Sequence, residues 1–407
     1  MAPARSPSPL LRWLLVGFGF LALAISFSAR ATLGLVMPLM MQEFGWSRSF
    51  ISGAAAATLL VMAVTAPFAG HAADRYGVRS TLTCGLLLVG IGCLLVALTD
   101  SPVVFLLGFS GIAAIGFGCV ATHVVSTAIA RLFETRRGLA TGIATSGATG
   151  GQFLIVPLIA VLLAALSWRW SFLAIGIACL VLAPLLWWSL SGKGAPAAPA
   201  RHEETHTLST DLRFVLRQPA FHILFWSFLI CGYTTAGVIE THLIPYAAFC
   251  GFGPILSATA YGLLSAVNLA GMVAAGWLTD RVNRVALLGS IYIVRGLSFL
   301  LLMRVGADYE TLVAFAVLFG AVDYATIPVT ASLAASHLGL RVMGLSMGLI
   351  SAGHSVGAAA GAFLGGYLVD LSAAYDGVWL SAVALALMAG ALVFAMREQP
   401  RAQAVPA

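Results

Sequence analysis

Four charged side chains lie inside long apolar runs of this chain, and they are the residues best able to bind or move charge. They are Arg30, Glu240, Arg295 and Asp323. If the runs cross a membrane, each charge costs about 2.5–3.5 kcal/mol on insertion scales, so each is a candidate functional residue. Neutral side chains that can hydrogen-bond a ligand or hold a proton lie in the same runs: His123, Gln152, His242, Asn268 and His354.

The elements that must position these residues are membrane helices. Of the 407 residues, 60% are hydrophobic and 9% are charged, whereas an ordinary soluble domain carries about 25% charged residues. The apolar runs are continuous and near 20 residues or longer, which is typical of helices rather than of alternating β-barrel strands. The sequence therefore predicts an all-α membrane protein with twelve spans, numbered here in chain order: 12–41, 50–70, 80–99, 102–130, 138–165, 169–190, 220–249, 255–279, 285–304, 310–336, 342–369 and 377–396.

Basic residues set the predicted orientation. Span 1 imitates a signal peptide, but its apolar run exceeds a signal core and span 2 follows at once, so we expect it to be retained. With the N-terminus inside, sixteen Lys and Arg residues fall in cytoplasmic segments, against three in outer loops: Arg48, Arg169 and Arg304. This bias predicts that both termini are cytoplasmic, in the plasma membrane or the inner membrane of a bacterium. The net charge of +6 then reflects topology and not nucleic-acid binding.

The remaining chemistry-bearing patterns exclude several function classes. The sequence contains no phosphate-binding loop, no HExxH motif and no nucleophile elbow, so we expect neither an enzyme nor an ATPase. We also expect no cofactor and no bound metal, because no cysteine forms a CxxC pair. The cysteines are scattered through the spans and are predicted to be free thiols: Cys84, Cys93, Cys119, Cys179, Cys231 and Cys250.

The chain consists of two related halves. A linker rich in Pro, Ala and charge (191–219) separates an N-terminal bundle (1–190) from a C-terminal bundle (220–407). A displacement of 206 positions aligns "GHAADRYGVR" with "GWLTDRVNR", and it also aligns four glycines of span 5 with four of span 11. One gap-free shift that aligns two separate motifs predicts an internal repeat of six helices. The aligned glycines are Gly138, Gly142, Gly147 and Gly151 with Gly344, Gly348, Gly353 and Gly357.

The loop between spans 2 and 3 resembles a signature of the major facilitator superfamily, and the resemblance covers nearly the whole chain. The family pattern G-x-x-x-D-R-x-G-x-R is met by Gly70, Asp74, Arg75, Gly77 and Arg79. The resemblance implies two six-helix bundles related by a pseudo-two-fold axis. It also implies a secondary transporter that rocks these bundles about a central site. We expect the functional form to be a monomer.

Three further stretches resemble one branch of that superfamily, the monocarboxylate transporters and oxalate/formate exchangers. They are "PLMMQEFGWSRSF", "TRRGLATGIATSGATGGQ" and "GGYLVDLSAAYDG". The resemblance implies a small organic anion as substrate. The sequence departs from these families at two positions, so their particular substrates do not carry over to this chain. Asn268 lies in span 8, where animal monocarboxylate transporters carry an acid and an arginine, and His354 lies near the position of the exchanger's span-11 lysine.

The loop motif has two interpretations. Its acid and bases lie at a helix end, where they can pair with each other and with the dipole of a neighbouring helix. The resemblance implies that such contacts hold the bundles together in the outward-open state and break on inward opening. The alternative is a topology signal with helix capping. The recurrence of the acid favours the gating motif, which comprises Gly70, Asp74, Arg75, Arg79, Asp280 and Arg281.

Arg30 is the candidate counter-charge for an anion. It lies about 18 residues, or about 27 Å, from the inner end of span 1, and in the resembled family spans 1, 4, 7 and 10 line the cavity. A guanidinium binds a carboxylate through two parallel hydrogen bonds. The alternative is a structural ion pair with Glu240, which together with His242 is expected near the outer end of span 7. The symmetry-related position of Arg30 is Ala236, so the charge belongs to one half only.

Arg295 and Asp323 are predicted to form a pair. They lie midway along the neighbouring antiparallel spans 9 and 10, and an unpaired arginine in peripheral span 9 would face lipid. Breaking the pair would leave an uncompensated buried charge. Asp323 is also a candidate proton acceptor, but beside Arg295 we expect it to stay ionised unless the pair opens during transport.

The neutral candidates each have a packing alternative. His354 and His123 are candidate proton carriers, although a lone histidine in a helix is more often a packing residue. Gln152 and Asn268 are candidate substrate ligands or ties between helices. Tyr233 and Tyr324 could bind a carboxylate, although aromatic residues in membrane helices mostly pack or anchor. The glycine runs predict close helix contacts that can slide.

Together these patterns predict a secondary active transporter of a small organic anion, in the first place a monocarboxylate, coupled to protons. Exchange of anions is a second coupling mode. The alternatives are efflux of hydrophobic drugs or cations by proton antiport, with Arg30 structural, and a membrane sensor built on a transporter fold. The expected partners are the substrate, protons and the lipid bilayer.

Overall fold

A computed structural model of the chain describes residues 9–189, 207–306 and 308–399. Within these ranges the regular elements are helices, as predicted. Twelve of the helical segments are long and apolar enough to cross a membrane. Each of the twelve coincides with one predicted span, because an apolar run of this length satisfies its backbone hydrogen bonds internally only as a helix.

The first six spans comprise four continuous helices and two interrupted ones. Span 4 changes to a π-helix near its start and breaks at Val120 and Ala121, where Val120 leaves the helical conformation and Ala121 is extended. Ser146 separates the two helices of span 5. The helices are Pro9–Phe44, Arg48–Arg75 and Val78–Leu98 for spans 1 to 3; Pro102–Phe105, π-helical Leu106–Ala113, Ala114–Cys119 and Thr122–Leu132 for span 4; Arg137–Thr145 and Gly147–Ala165 for span 5; and Arg169–Ser189 for span 6.

The last six spans also comprise four continuous helices and two interrupted ones, which are spans 7 and 10. Span 7 carries a π-helical segment in its middle, and span 10 is broken between Val322 and Thr326. The helices are Pro219–Gly232, π-helical Tyr233–Ile239 and Glu240–Phe249 for span 7; Pro254–Thr279 for span 8; Arg284–Leu302 for span 9; Tyr309–Val322 and Thr326–His337 for span 10; Met343–Ser372 for span 11; and Asp376–Phe394 for span 12.

The predicted linker contains a helix that the sequence reading missed. Residues 208–216 form the helix Leu208–Leu216, with Asp211 in its first turn and Arg213 in its last. These charges match the helix dipole, and Val215 is buried, so a short amphipathic helix forms here. The part of the linker before residue 207, like residues 1–8 and 400–407, lies outside the described residues.

The chain divides into two compact units. The first comprises Met1–Phe133, Ile143–Leu208 and Arg341–Gly348, and the second comprises Glu134–Gly142, Ser209–Leu340 and Leu349–Ala407. Each unit therefore combines one half of the sequence with a short stretch of the other half. Both units expose large apolar side chains, for example Leu60, Trp188, Ile255 and Phe363, as expected for surfaces that face lipid.

The predicted close contacts of the glycine runs are present in both units. In the second unit, a Cβ atom at Gly138 would overlap the Gly276 carbonyl oxygen, and one at Gly142 would lie 2.6 Å from the carbonyl oxygen of Met272. Span 5 thus begins against the backbone of span 8. Only glycine permits such an approach of two backbones.

The same contact recurs in the first unit between the start of span 11 and the end of span 2. A Cβ atom at Gly344 or Gly348 would overlap the carbonyl oxygens of Gly70 and Ala66. Further along span 11, Gly357 lies in equally close contact with Leu229 of span 7. The glycines that repeat in sequence therefore make contacts that repeat in space.

Candidate functional site

Arg295 lies at the centre of a polar cluster inside the second unit, and its side chain is fully buried. One terminal nitrogen, Nη1, donates to Thr234 Oγ1 at 3.1 Å, to Thr235 Oγ1 at 3.0 Å and to the Cys231 sulfur at 3.0 Å. These three groups belong to span 7, at the start of its π-helical segment. The guanidinium is thus tied to the irregular part of that span.

The other terminal nitrogen of Arg295 donates to the backbone at the break in span 10. Nη2 donates to the carbonyl oxygen of Val322 at 2.9 Å and also to the carbonyl oxygen of Asp323. A continuous helix would bond these carbonyls to the N–H groups of Thr326 and Ile327. Pro328 has no N–H for the Tyr324 carbonyl, and the Ile327 N–H donates to that carbonyl instead, at 3.0 Å. Arg295 therefore satisfies backbone acceptors that the break releases, which a lipid environment requires.

The Asp323 carboxylate completes the cluster. Its Oδ1 atom lies 3.9 Å from Arg295 Nη2 and accepts a hydrogen bond from Thr235 Oγ1 at 2.7 Å. Its Oδ2 atom accepts from Asn268 Nδ2 of span 8 at 3.3 Å. Thr235 thus bridges the two charges, because it accepts from the guanidinium and donates to the carboxylate. The pair that the sequence predicts is present as a close, bridged contact.

A second carboxylate lies beside this cluster. Tyr324 donates from its hydroxyl to Glu240 Oε1 at 2.8 Å, and its backbone N–H donates to Asn268 Oδ1 at 3.2 Å. Glu240 is exposed, whereas Asp323 is buried. The ring of His354 lies 6.4 Å from that of Tyr324. One exposed and one buried carboxylate are therefore connected through Tyr324 and Asn268, with a histidine beside them.

The structure thus brings six of the predicted residues together in the second unit: Glu240, Asn268, Arg295, Asp323, Tyr324 and His354. It does not bring Tyr233 to this cluster. Its hydroxyl lies 2.9 Å from Ser381 Oγ of span 12, and its side chain is buried in the apolar core. The His242 ring contacts the carbonyl oxygen of Ala362 at 3.2 Å.

The first unit contains the other predicted ligands. The Arg30 guanidinium lies 3.9 Å from the centroid of the Phe27 ring, and Nη1 lies 3.8 Å from the Met62 sulfur. His123 is buried at the start of the inner helix of span 4, and Gln152 is exposed. The Arg30 guanidinium therefore packs against the Phe27 ring of span 1 and the Met62 sulfur of span 2.

The predicted gating acids cap helices that come from the opposite half of the sequence. In the first unit, Asp74 accepts from the backbone N–H groups of Gly344 and Leu345 at 2.9 and 2.8 Å. Arg131 of span 4 donates to the same carboxylate at 2.5 Å. A carboxylate at a helix N-terminus satisfies orphan donors and the helix dipole together.

The equivalent acid repeats the arrangement in the second unit. Asp280 accepts from the backbone N–H groups of Gly138 and Leu139 at 2.8 and 2.9 Å. The first turn of span 5 thus rests on the end of span 8. The Arg281 guanidinium stacks on Trp277 at 3.9 Å, and that of Arg79 stacks on Trp187 at 3.5 Å.

Sequence reasoning missed the partners that complete these sites. Thr235, Cys231 and Arg131 were not singled out, although the spacing of Cys231 and Thr235 by four residues places them on one helix face. All six cysteines are free thiols. Among the described residues, no group of three or more His, Cys, Asp or Glu side chains could hold a metal ion.

The fold and these sites define a helical multi-pass membrane transporter built from two repeats. The sequence profile of the Major Facilitator Superfamily matches residues 19–303 and 269–407, and the chain belongs to this superfamily. It is therefore a transporter of a small molecule and not an enzyme. The internal repeat and the twelve spans agree with that membership.

Two related sequences extend over most of the chain. The MFS-type transporter YcxA of Bacillus subtilis is 27% identical over 378 residues, which cover 90% of this chain and 91% of the relative. Monocarboxylate transporter 13 of Rattus norvegicus is 26% identical over 386 residues, which cover 93% and 87% of the two chains. The resemblance to monocarboxylate transporters is thus confirmed at low identity.

Solved structures show the same fold. The fucose:proton symporter FucP of E. coli superimposes with a TM-score of 0.73 at 18% identity, covering 94% of this chain and 97% of its own. The human organic anion transporter MFSD10 gives a TM-score of 0.71 at 17% identity, covering 95% and 100%.

Proposed function

We propose that this transporter carries a small organic anion, in the first place a monocarboxylate, and couples its movement to protons. The observation that carries the anion part is the position of Arg30, a permanent cation in the middle of span 1 in a chain related to monocarboxylate transporters. A guanidinium keeps its charge in a membrane and recognises a carboxylate through two parallel hydrogen bonds.

The geometry around Arg30 supports a binding role. Its guanidinium rests on the face of Phe27 and beside the sulfur of Met62, and both of these groups are neutral. Contact with an aromatic face attracts and orients a cation. A guanidinium oriented in this way in the middle of a membrane span is a candidate ligand for a carboxylate.

The proton-coupling role falls to the second unit. Glu240 is exposed, Asp323 is buried, and Tyr324 and Asn268 lie between them. In this proposal Glu240 exchanges protons with water, and Asp323 binds a proton when its contact with Arg295 loosens. His354, beside Tyr324, is a further proton carrier.

The capping acids supply the gate. Asp74 and Asp280 each hold the first turn of a helix from the opposite half of the sequence. We propose that these contacts, on the cytoplasmic side, stabilise one transport state and break in the other. We propose that the protein lies in the plasma membrane or a bacterial inner membrane with both termini in the cytoplasm. We propose further that it functions as a monomer.

One observation favours a different substrate class. Glu240 is an exposed carboxylate that accepts a hydrogen bond from Tyr324, an arrangement that could equally receive an organic cation. In that case the protein would export cations or hydrophobic drugs in exchange for protons, and Arg30 would be structural.

Thermal unfolding of the purified protein with small carboxylates and organic cations separates the two. A ligand that binds only the folded state adds about 2.7 kcal/mol of stability at one hundred times its Kd. We expect a shift with carboxylates that is lost in Arg30→Ala and retained in Arg304→Ala, which removes an exposed arginine at the end of span 9. Shifts with cations alone, or carboxylate shifts that survive in Arg30→Ala, would contradict the anion proposal.

Proton coupling is tested in liposomes with the carboxylate that gives the largest shift. Uptake driven by an inward proton gradient should be lost in Glu240→Gln and Asp323→Asn, while binding of the carboxylate remains. Unchanged pH dependence of uptake in Asp323→Asn would remove that residue as the coupling site.

A further inference from the structure

The segment that follows span 12 is bound to the start of span 9. Glu398 Oε2 accepts from the backbone N–H groups of Arg284 and Val285 at 2.9 and 3.1 Å. Its Oε1 atom accepts from Arg284 Nε at 2.6 Å and lies 2.5 Å from Arg284 Nη2. One carboxylate thus caps the helix and neutralises its first side chain.

Arg284 is built into this site and is not a loose surface residue. Its side chain is about as buried as the apolar core, with 2% of the residue exposed. Its remaining donors reach Ser336 Oγ at 2.6 Å and the Gln399 carbonyl oxygen at 2.8 Å. The His337 ring at the end of span 10 contacts the Arg397 carbonyl oxygen at 3.0 Å. Residues 397–399 therefore bind the ends of spans 9 and 10 together.

This site lies beside the gating contact of the second unit. Asp280, four residues before Arg284, holds the first turn of span 5, and Arg137 begins that turn. Arg284 repels Arg137 electrostatically, while Asp280 attracts it. The charge on Arg284 consequently opposes the contact that Asp280 makes.

We propose that residues 397–399 form a latch that stabilises the contact between spans 5 and 8. Glu398 compensates the charge of Arg284 and so suppresses its repulsion of Arg137. When the segment leaves, Arg284 is buried without a counter-charge, and the first turn of span 5 is pushed away from Asp280. The occupancy of this latch would regulate how readily the Asp280 contact opens.

The latch acts on one of the two gating contacts only. The position that corresponds to Arg284 in the first half is Val78, which has no charge to compensate. The repeat therefore supplies the capping acids in both halves, whereas the buried arginine that Glu398 binds occurs in the second half only. Its effect on transport rests on the proposed gating role of Asp280, but its effect on the contact itself does not.

The test measures how readily the first turn of span 5 separates from Asp280. Leu139→Cys places a thiol in the turn that Asp280 caps, and a hydrophilic maleimide reports its exposure, with the parent protein giving the background from native cysteines. Because Glu398→Gln removes charged hydrogen bonds to the start of span 9, we expect it to increase the labelling rate about tenfold. Arg397→Gln, at the neighbouring exposed position, should leave the rate unchanged.

Two rescue variants separate a latch from a merely structural tail. If repulsion transmits the effect, Arg137→Gln combined with Glu398→Gln should return labelling to the rate of Arg137→Gln alone. Arg284→Gln combined with Glu398→Gln should restore the parent rate by removing both charges. An unchanged rate in Glu398→Gln, or an increase that persists in both combinations, would overturn the proposal. Because labelling needs no substrate, its result is independent of the anion and proton assignments.

Discussion

Replacing the two charges of the buried cluster, singly and together, tests whether Arg295 and Asp323 form one functional pair. At 3.9 Å and an effective dielectric constant of about 20, their attraction is about 4 kcal/mol. Either single replacement, Arg295→Met or Asp323→Asn, leaves one buried charge without its partner. We expect each to lower the free energy of unfolding by about 3–5 kcal/mol.

The double variant should lose less unfolding free energy than the two single variants lose together, and the difference should be at least about 2 kcal/mol. It should not reach the stability of the parent protein. Without Arg295, the carbonyl oxygens of Val322 and Asp323 at the break of span 10 lose the donor they share. A buried acceptor without a partner costs about 1–3 kcal/mol.

The assay is chemical unfolding in detergent micelles, with all four proteins measured under one condition. Arg304→Met is the matched control, because it removes an exposed arginine from the end of the same span and should change stability by less than about 0.5 kcal/mol. Single effects that add within about 0.5 kcal/mol would refute the pairing. A double variant as stable as the parent would refute the role assigned to Arg295 at the break.

Three further outcomes are expected. Gly357→Ala should destabilise the protein by more than about 2 kcal/mol, since the added methyl group overlaps the backbone of span 7 and overpacking costs about 1–3 kcal/mol, whereas Gly17→Ala, with open space around it, should be neutral or slightly stabilising in the same unfolding assay. Asp280→Asn removes the charge and one of the two acceptor oxygens at the start of span 5; it should weaken that contact by about 1 kcal/mol and raise maleimide labelling of Leu139→Cys, and an unchanged labelling rate would contradict the capping role. Tyr324→Phe removes the hydrogen bond to Glu240 and should shift the pH dependence of uptake while leaving stability within about 1.5 kcal/mol; an unshifted pH profile would exclude Tyr324 from the proton pathway.

The spans and their repeat could be predicted because they depend on local composition. An apolar run of sufficient length must be helical in a membrane, so the number of spans and their approximate positions could be predicted. The helix Leu208–Leu216 was missed, because a short amphipathic helix within a Pro- and Ala-rich segment has no comparable signal. The two charges that match its helix dipole are Asp211 in the first turn and Arg213 in the last. They become informative only when Val215 is known to be buried.

The charged members of the cluster could be predicted, but their neutral partners could not. Arg295 and Asp323 stand out because a charge in an apolar run needs a reason. Thr235 and Cys231 are compatible with ordinary helix packing, so the sequence does not distinguish them from other small residues. The break in span 10 is similar: Pro328 permits it, but whether a helix kinks or breaks depends on whether a donor such as Arg295 reaches the released carbonyls.

The repeat separates the residues that hold the helices together from those that place charge inside the membrane spans. The capping acids and the close-contact glycines recur after 206 positions, whereas the intramembrane charges do not: Arg30 corresponds to Ala236, Glu240 to Gly34, Arg295 to Val89 and Asp323 to Phe117. A contact that must open and close in both halves needs the same residues twice. A binding or coupling group needs to occur once, because a second copy would place another costly charge in the membrane. The asymmetric residues are therefore where substrate and proton specificity should be sought, and the symmetric ones are where conformational change should be measured.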